Sequence, residues 1–226
     1  MDPLTEIGIK HDTDKATFHN FTSFYEKHFS KIRDEKMNIL ELGILDGKSI
    51  LMLKEYFPNA TIYAIDINKD SVKEYGPGIH TYLCSQDDES KLHELFSELE
   101  FDIIIDDGSH MTLHQLKSLS LLFKKVKSGG LYVCEDLHTS LIESYVNSET
   151  NPLRLFENYD GTDLHIPELG YTENGIRDIK VYKRDMNAYK CFRCSSINEN
   201  TSEKCKTCDA DLSTNNHSYT SILFKK

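Results

Sequence analysis

Two apolar segments of the chain run directly into acidic side chains, and these acids are the residues best placed to do chemistry. Residues 101–110 read F-D-I-I-I-D-D-G-S-H, and residues 130–136 read G-L-Y-V-C-E-D. Continuous apolar runs of this length are typical of buried parallel strands, and ligands of open α/β sheets bind outside the carboxyl ends of such strands. We therefore predict that Asp107, Glu135 and Asp136 converge on one hard divalent cation, with His110 beside them as a general base.

This residue set suits a reaction at a weakly acidic hydroxyl. Carboxylate oxygens favour Mg²⁺ or Mn²⁺ over zinc, and such an ion stabilises the negative charge that develops on an acceptor oxygen. His110 would then accept the proton, although a histidine at the start of a helix with no chemical role is the alternative. His138 follows Asp136 by two residues, and three roles remain open for it: a structural role, a contact with the substrate, or no role in the site. For Asp14 and Lys15, a surface ion pair is the alternative to a role in the site.

A third strand and the turn after it predict a nucleoside-containing cofactor. Residues 38–47 read N-I-L-E-L-G-I-L-D-G and precede a predicted helix over 48–56, while Asp66 ends the next strand. Glycine lets the backbone approach a ligand closely, and an acid about twenty residues further on can accept hydrogen bonds from both ribose hydroxyls. The spacing of Glu41, Gly43 and Gly47 lacks the G-x-G-x-x-G fingerprint of NAD and fits S-adenosylmethionine.

Three more residues are predicted to contact the cofactor. Gln86 and Asp87 follow the predicted strand 79–84, at the place where the adenine of a bound cofactor is expected, and Asp106 directly precedes the metal-binding acid. The alternative for Asp87 is an N-cap, because Asp87 and Asp88 both precede the next helix, and the two roles are compatible.

The remaining elements indicate a doubly wound α/β sheet. Between residues 38 and 136 strands alternate with helices, which implies right-handed crossovers and a parallel sheet. We predict helical structure within 5–36, with a stripe of aromatic residues packed on the sheet, and a helix over 112–127. Residues 137–176 carry turn signals and weak periodicity, so we predict a cover that faces the substrate. Residues 179–183 and 219–224 are predicted strands.

The chain resembles the class I S-adenosylmethionine-dependent methyltransferases in the segment from Glu41 to Gly47 and in Asp66. The motifs D-D-G-S-H at 106–110 and E-D at 135–136, with K-H-D-T-D-K at 10–15, narrow the resemblance to the metal-dependent sugar O-methyltransferases of macrolide tailoring. It spans roughly residues 5–140 and resumes near 177–226. The resemblance implies a Rossmann-like sheet that ends in an antiparallel hairpin. Cys134 departs from the aliphatic residue that is common there, without consequence for metal binding.

A cysteine cluster interrupts the predicted hairpin. Two C-x-x-C pairs, Cys191 with Cys194 and Cys205 with Cys208, can place four thiolates around zinc, with iron as the minor alternative. The pattern over 189–212 resembles the Ran-binding-protein type zinc finger, with Tyr189 in place of its tryptophan and Asn198 matching its asparagine; members bind single-stranded RNA or ubiquitin. We predict an inserted zinc finger over 189–212 within a methyltransferase domain over 1–188 and 213–226. The finger would stiffen a long loop or form a contact in a homo-oligomer.

Composition limits the partners. The 226 residues carry a net charge of −11 and no basic tract, which weighs against nucleic acid as the main substrate. The apolar runs are strand-length and the first residues do not form a signal peptide, so we predict a cytoplasmic protein without a membrane span.

The function predicted from these observations is an S-adenosylmethionine- and Mg²⁺-dependent O-methyltransferase for a sugar hydroxyl of a glycan or glycosylated small molecule. Two alternatives remain at this point. One is a metal-dependent O-methyltransferase of catechol-like or other small molecules, because catechols also present vicinal oxygens. The other is a methyltransferase-like scaffold that binds RNA or protein through the zinc finger.

Overall fold

The computed structural model describes residues 1–184, 188–190, 194, 196–199, 204–210 and 218–226. The strands, in chain order, are β1 (Asn38–Leu42), β2 (Thr61–Asp66), β3 (Ile79–Leu83), β4 (Phe101–Asp106), β5 (Val126–Cys134), β6 (Leu164–Ile166), β7 (Tyr171–Glu173), β8 (Ile176–Lys183), β9 (Ala188–Lys190), β10 (Ile197–Glu199) and β11 (Tyr219–Lys225). The α-helices are α1 (Pro3–Lys10), α2 (Asp14–Thr17), α3 (Thr22–Phe29), α4 (Lys48–Tyr56), α5 (Glu89–Phe96), α6 (Thr112–Leu122) and α7 (Pro152–Glu157).

A mainly parallel sheet organises the described residues, with the strand order β3-β2-β1-β4-β5-β11-β8. Strands β1 to β5 pair in parallel, and β11 lies antiparallel between β5 and β8. The predicted doubly wound sheet with a terminal antiparallel hairpin is therefore confirmed. Because β8 and β11 run in opposite directions, the chain leaves β8 and enters β11 at the edge where the parallel strands have their carboxyl ends.

Helices cover both faces of this sheet and create two apolar cores. One core combines α1, α3 and α4 with the sheet and includes Phe21, Tyr25 and Phe29, all 0% exposed. This confirms the predicted aromatic stripe. The other core combines α5, α6 and α7 with the opposite face and includes Leu116 and Phe156. The central strands β1 and β4 are buried on both sides, which explains their continuous apolar sequences, whereas the edge strands β3 and β8 are partly exposed.

The predicted helix 48–56 is confirmed, and three other predictions differ in detail from the structure. The α-helix predicted over 112–127 ends at Leu122, because Val126 already pairs with Phe101 as the start of β5. Residues 5–36 do not form continuous helix, since Asp12 and Asn20 adopt left-handed conformations that interrupt it. The N-cap of α5 is Asp88, whose side chain accepts a hydrogen bond from the Lys91 backbone at 3.0 Å, and not Asp87.

Most of the segment 137–176 packs on the second core and does not form the predicted cover, whereas its first residues reach the cleft, where the Thr139 hydroxyl donates to the His110 carbonyl at 2.9 Å. Asn151 caps α7 by accepting from the Arg154 backbone, and the short hairpin of β6 and β7 follows. Leu153, Leu164 and Ile166 are buried in the second core, beneath the sheet. In the described ranges no helix is both long and apolar enough to cross a membrane.

Candidate active site

Two adjoining cavities lie at the carboxyl edge of the parallel strands. The larger has a volume of about 440 Å³ and reaches from the N-terminal residues 12–14 past the turn after β1 to the ends of β4 and β5. The smaller, of about 150 Å³, lies between the ends of β2 and β4 and the loop after β3. Gly43, Asp66 and Gly108 line both cavities, so the two form one continuous cleft.

The turn after β1 is shaped for close approach of a ligand. Gly43 has φ +95°, and a Cβ there would lie 2.1 Å from the Asp107 carbonyl oxygen, so only glycine fits between β1 and β4. Gly47 has φ +85° and begins α4. Asp66 holds the turn by accepting hydrogen bonds from the backbones of Ile44 at 2.8 Å and Leu45 at 3.0 Å. The predicted Gly43 and Asp66 therefore meet at one place, whereas Gly47 lines neither of the two cavities and packs against Tyr75.

Gln86, Asp87 and Asp106, which were also predicted to contact the cofactor, differ in where they lie relative to the two cavities. Gln86 lines the smaller cavity and accepts from the Ser109 backbone at 2.6 Å. Asp87 lies beside it and accepts from Ser85. Asp106 lines neither cavity, because its carboxylate is enclosed beneath the turn and accepts from Gln86 at 3.0 Å and from Tyr132 at 3.2 Å. The structure thus gives Asp106 a supporting position, not a contact with the cofactor.

Three of the predicted metal and base residues form a compact group. Ligand atoms of Asp107, His110 and Asp136 all lie within 4.8 Å of one another, and the group opens into the larger cavity. His110 Nε2 is 3.6 Å from Asp136 Oδ2. His110 follows the turn after β4, and Asp136 precedes a 3₁₀ helix over Leu137–Leu141. Oxygen and imidazole ligands in this arrangement can bind a divalent cation.

Backbone strain is concentrated at this cleft. Six non-glycine residues in the described part of the chain adopt positive φ: Asp12, Asn20, Leu45, His110, Asp136 and Asp209. Four of the six, all but Asn20 and Asp209, line the larger cavity. Left-handed conformations of this kind cost free energy and collect at functional sites. The observation supports the larger cavity as a site of function independently of its acids.

Asp136 faces three imidazoles. His19 Nδ1 and His138 Nδ1 lie 3.5 and 3.7 Å from Asp136 Oδ1, on the side away from His110. Burial alone would raise the pKa of Asp136, but the facing imidazoles of His19 and His110 hold it below the usual value. Burial lowers the pKa of His138 to about 4, so that ring is neutral near pH 7. His138 therefore has a place in the site, as a neighbour of Asp136.

Lys15 is a site residue whose burial the sequence did not reveal. Its side chain is 1% exposed, and its ammonium contacts Asp107, Glu135 Oε1 at 2.9 Å and Glu41 Oε1 at 3.3 Å. The alternative of a surface ion pair between Asp14 and Lys15 is wrong, because α2 directs Lys15 into the sheet edge. Burial would lower the pKa of Lys15, but the three carboxylates outweigh it and raise that pKa well above the usual value.

Glu41 and Glu135 lie behind the accessible group. Glu41 is 0% exposed and accepts from Ser49 at 2.6 Å, and Glu135 is 2% exposed. Burial raises the pKa of Glu41 to about 7 and that of Glu135 well above its usual value, against the opposing charge of Lys15. Glu135 is thus close to the predicted metal site but is held by the lysine, outside the group of Asp107, His110 and Asp136.

Part of the predicted zinc cluster lies within the described residues. The thiol sulfurs of Cys194, Cys205 and Cys208 lie within 4.8 Å of one another, and a hydrogen bond with Ser196 lowers the pKa of Cys205 to about 5. β9 and β10 pair antiparallel beside them. Cys191 lies outside the described residues. Three clustered sulfurs, one of them with a lowered pKa, are suited to a soft metal ion.

Comparisons with known proteins place this cleft in context. No protein-family model matches the chain. Over 145 residues it is 37% identical to 8-demethyl-8-alpha-L-rhamnosyl tetracenomycin-C 2'-O-methyltransferase of Streptomyces olivaceus, a match that covers 61% of this chain and 38% of that protein. It is also 37% identical over 147 residues to mycinamicin VI 2''-O-methyltransferase of Micromonospora griseorubida, covering 61% and 36%. The chain therefore spans less than half the length of these relatives.

Solved structures of methyltransferases are also similar to this chain. The MycE methyltransferase of the mycinamycin biosynthetic pathway, in complex with Mg, SAH and mycinamycin VI, superposes with a TM-score of 0.60 at 34% identity, over 68% of this chain and 44% of that one. An O-methyltransferase from Bacillus cereus in complex with SAH gives a TM-score of 0.54 at 12% identity, over 100% and 92%, and indicates the fold alone. The chain therefore has the Rossmann-like methyltransferase fold and is similar in sequence to the two O-methyltransferases above.

Proposed function

We propose that the protein is an S-adenosylmethionine- and Mg²⁺-dependent O-methyltransferase that acts on a sugar hydroxyl of a glycan or glycosylated small molecule. The observation that carries the proposal is the group of Asp107, His110 and Asp136 at the mouth of a cleft that begins at the Gly43 turn. Cofactor cleft and acid group adjoin, as methyl transfer to a metal-assisted hydroxyl requires.

The cleft fits S-adenosylmethionine in size and polarity. The smaller cavity, lined by Ile65, Cys84 and Gln86 among others, suits an adenine ring. Asp66 lies between the two cavities, where a ribose would connect the adenine to the methionyl part. Gly43 provides the close approach, and the larger cavity then leaves room for the sulfonium beside the acids.

The acid group fits a hard divalent cation. Ligand atoms of Asp107, His110 and Asp136 lie within 4.8 Å of one another, and all three residues line the larger cavity, from which an ion can reach them. Asp107 and Asp136 would hold the ion, with Glu135 as the third carboxylate at the back of the site. When bound, Mg²⁺ supplies stabilisation of the negative charge that develops on the acceptor oxygen.

The chain's own residues then direct the reaction. The turn after β1 orients the cofactor so that its methyl group faces the acceptor, and the acids fix the acceptor hydroxyl on the line of the breaking carbon–sulfur bond. His110 Nε2 takes the hydroxyl proton as the oxygen–carbon bond forms. The carbon–sulfur bond breaks with its electron pair on sulfur, which leaves S-adenosylhomocysteine and the methyl ether.

The sugar acceptor is proposed from the relatives, whose names specify rhamnosyl tetracenomycin-C and mycinamicin VI. The net charge of −11 supports this class over nucleic acid, since a strongly acidic chain repels phosphates.

The test is methyl transfer from labelled S-adenosylmethionine to a panel of glycosides, nucleotide sugars and catechols, with Mg²⁺ or with EDTA. We expect Mg²⁺-dependent methylation of glycosides and little of catechols. Preferential methylation of catechols would replace the acceptor class, and equal rates in EDTA would remove the metal from the mechanism.

We further propose that residues 189–212 form an inserted zinc-binding module in which Cys191, Cys194, Cys205 and Cys208 hold one structural zinc. Its support is the spacing of the two C-x-x-C pairs together with the clustering of three of the sulfurs. Elemental analysis after dialysis should find one zinc per chain. The variant Cys194→Ser/Cys205→Ser should lose it, while Cys84→Ser, which alters a cysteine remote from the cluster, should retain it. Full zinc content in the first variant would contradict the proposal.

A further inference from the structure

Lys15 divides the carboxylates of the cleft into two groups. Its ammonium contacts Glu41 at the end of β1, Asp107 after β4 and Glu135 after β5, so it joins three strand ends from one point. Asp136 is not among these contacts and faces histidines instead. The lysine side is buried, and the side of Asp107, His110 and Asp136 opens into the cavity.

The position of Lys15 is firmly fixed. Its carbonyl accepts a hydrogen bond from the Phe21 backbone at 2.7 Å, and Phe21 is itself 0% exposed in the core. The backbone of Lys15 is therefore anchored in the core, and its side chain, which is 1% exposed, extends from that anchor to the three carboxylates. A lysine on the surface would instead be solvated and free to exchange its partners for ions from solvent.

We propose that Lys15 is a fixed internal cation that occupies the place of a second metal ion and thereby limits the cleft to one exchangeable divalent cation. The inference rests on the proposed function, because it assumes that Asp107 and Asp136 bind Mg²⁺. The contacts support it: the ammonium lies against three of the four carboxylates of the cleft, Glu41, Asp107 and Glu135, at a point where a second ion would otherwise have to neutralise them.

The effect of this charge is large because the group is buried. Coulomb interactions a few ångströms apart in a protein interior are several times stronger than in water. The lysine both repels a divalent ion and holds Glu135 and Asp107, for which the ion competes. Its removal should therefore strengthen ion binding, whereas a residue that merely shapes the ligands would weaken binding when removed.

The test is Mn²⁺ binding by electron paramagnetic resonance, which reports ion number and affinity without turnover. The wild-type protein should bind one ion at the cleft. Lys15→Met should bind Mn²⁺ at least about tenfold more tightly, and take up a second ion at higher concentration. The matched control is Lys48→Met, which removes an exposed lysine that lines the same cavity and pairs with Asp12 and Asp46. Because solvent screens that charge, its affinity should change by less than about threefold.

Two further variants test the proposal even if Lys15→Met does not fold. Glu41→Gln removes one negative charge and keeps the lysine, so it should weaken Mn²⁺ binding. Lys15→Met/Glu41→Gln restores the wild-type charge and should recover one ion with near wild-type affinity. The comparison of the double variant with Glu41→Gln remains informative if Lys15→Met alone fails to fold, because the double variant removes one acidic and one basic side chain together.

The outcomes separate the two proposals. A wild-type protein that binds no divalent ion at the cleft contradicts the proposed function itself. One ion in the wild type, with unchanged or weaker binding in folded Lys15→Met, overturns the role of Lys15 alone. The same holds if the double variant binds no better than Glu41→Gln.

Discussion

At the scale of single residues, the site consists of side chains that face the cavity and side chains that support them. Asp107, His110 and Asp136 are accessible from the larger cavity. Lys15, Glu41 and Asp106 lie behind them and are each at most 1% exposed. The first group should act directly on ion and substrate, whereas the second should act through position and charge, and variants of the two groups should fail in different ways.

The variant His110→Ala should separate base from metal ligand. It should leave cofactor and Mg²⁺ binding near normal and lower turnover by about 10²–10⁴, the usual range for a lost general base. Asp107→Ala and Asp136→Ala should lose activity that added Mg²⁺ partly restores, because their defect is in ion affinity. Steady-state rates over a Mg²⁺ titration measure the maximal turnover and the apparent Mg²⁺ affinity of each variant. The control is His93→Ala, on the exposed face of α5. Rescue of His110→Ala by extra Mg²⁺ would make His110 a ligand instead.

Asp106 gives a prediction about stability and pH. Burial raises its pKa to about 6, so the folded protein holds this proton at a pH where the unfolded chain has released it. The contribution of Asp106 to the free energy of unfolding is therefore greatest in acid and falls as pH rises through about 6, by about 3 kcal/mol in total. Urea unfolding of wild type and Asp106→Asn should show their difference moving in this direction between about pH 4 and pH 7. A difference that instead grows in favour of the wild type would contradict the burial cost.

The sequence revealed the accessible residues better than the supporting ones. Asp107, His110, Asp136 and Gly43 follow apolar strands, and the topology of a parallel sheet then brings them together. Lys15 lies in a short polar segment, D-K-A-T, and nothing local marks it as buried. Its burial results from packing of α2 against three strand ends. For Asp106, predicted to contact the cofactor, the sequence likewise did not reveal the buried partners Gln86, Ser118 and Tyr132 that enclose its carboxylate.

At the scale of elements, strands were predicted more accurately than the segments between them. Buried strands carry continuous apolar sequences, and both strands of the terminal hairpin were found, each extended slightly, as Ile176–Lys183 and Tyr219–Lys225. The segment 137–176 was misjudged because its apolar residues are sparse. Leu153, Phe156 and Leu164 are nevertheless enough to fix it on the second core. Weak periodicity therefore does not distinguish a cover from a buried connection.

The hairpin of β8 and β11 should not need the cysteine-rich insertion. The Arg184 backbone donates to the Ser218 carbonyl at 2.8 Å, which extends the pairing of the strands up to the insertion. Replacement of residues 189–212 by a short Gly-Ser turn should therefore keep the free energy of unfolding of the main domain within about 1 kcal/mol, since loop length alone costs little. It should also retain most turnover on a small acceptor. Loss of turnover in a folded variant would mean that the insertion helps to form the acceptor site.

At the scale of the whole molecule, the cleft connects the two cores. The strands β1, β2, β4 and β5 contribute residues to both cores, and their carboxyl ends form the walls of both cavities. A ligand that filled the cleft would therefore contact the ends of all these strands at once. Binding should therefore stabilise the described sheet and its helices as one cooperative unit, and not only the loops that touch the ligand.

This coupling can be measured by thermal unfolding with S-adenosylhomocysteine. At a ligand concentration of about one hundred times Kd, binding adds about 2.7 kcal/mol to the free energy of unfolding. For a domain of this size that corresponds to a rise in Tm of roughly 5–10 °C. Asp66→Ala should lose most of the rise, because the ribose partner and the support of the Gly43 turn are both removed, whereas Asp70→Ala on the neighbouring surface should retain it. A zinc chelator should leave this main transition in place, since the strands β8 and β11 on either side of the insertion already pair with each other. An equal rise in Asp66→Ala would show that the ligand binds elsewhere.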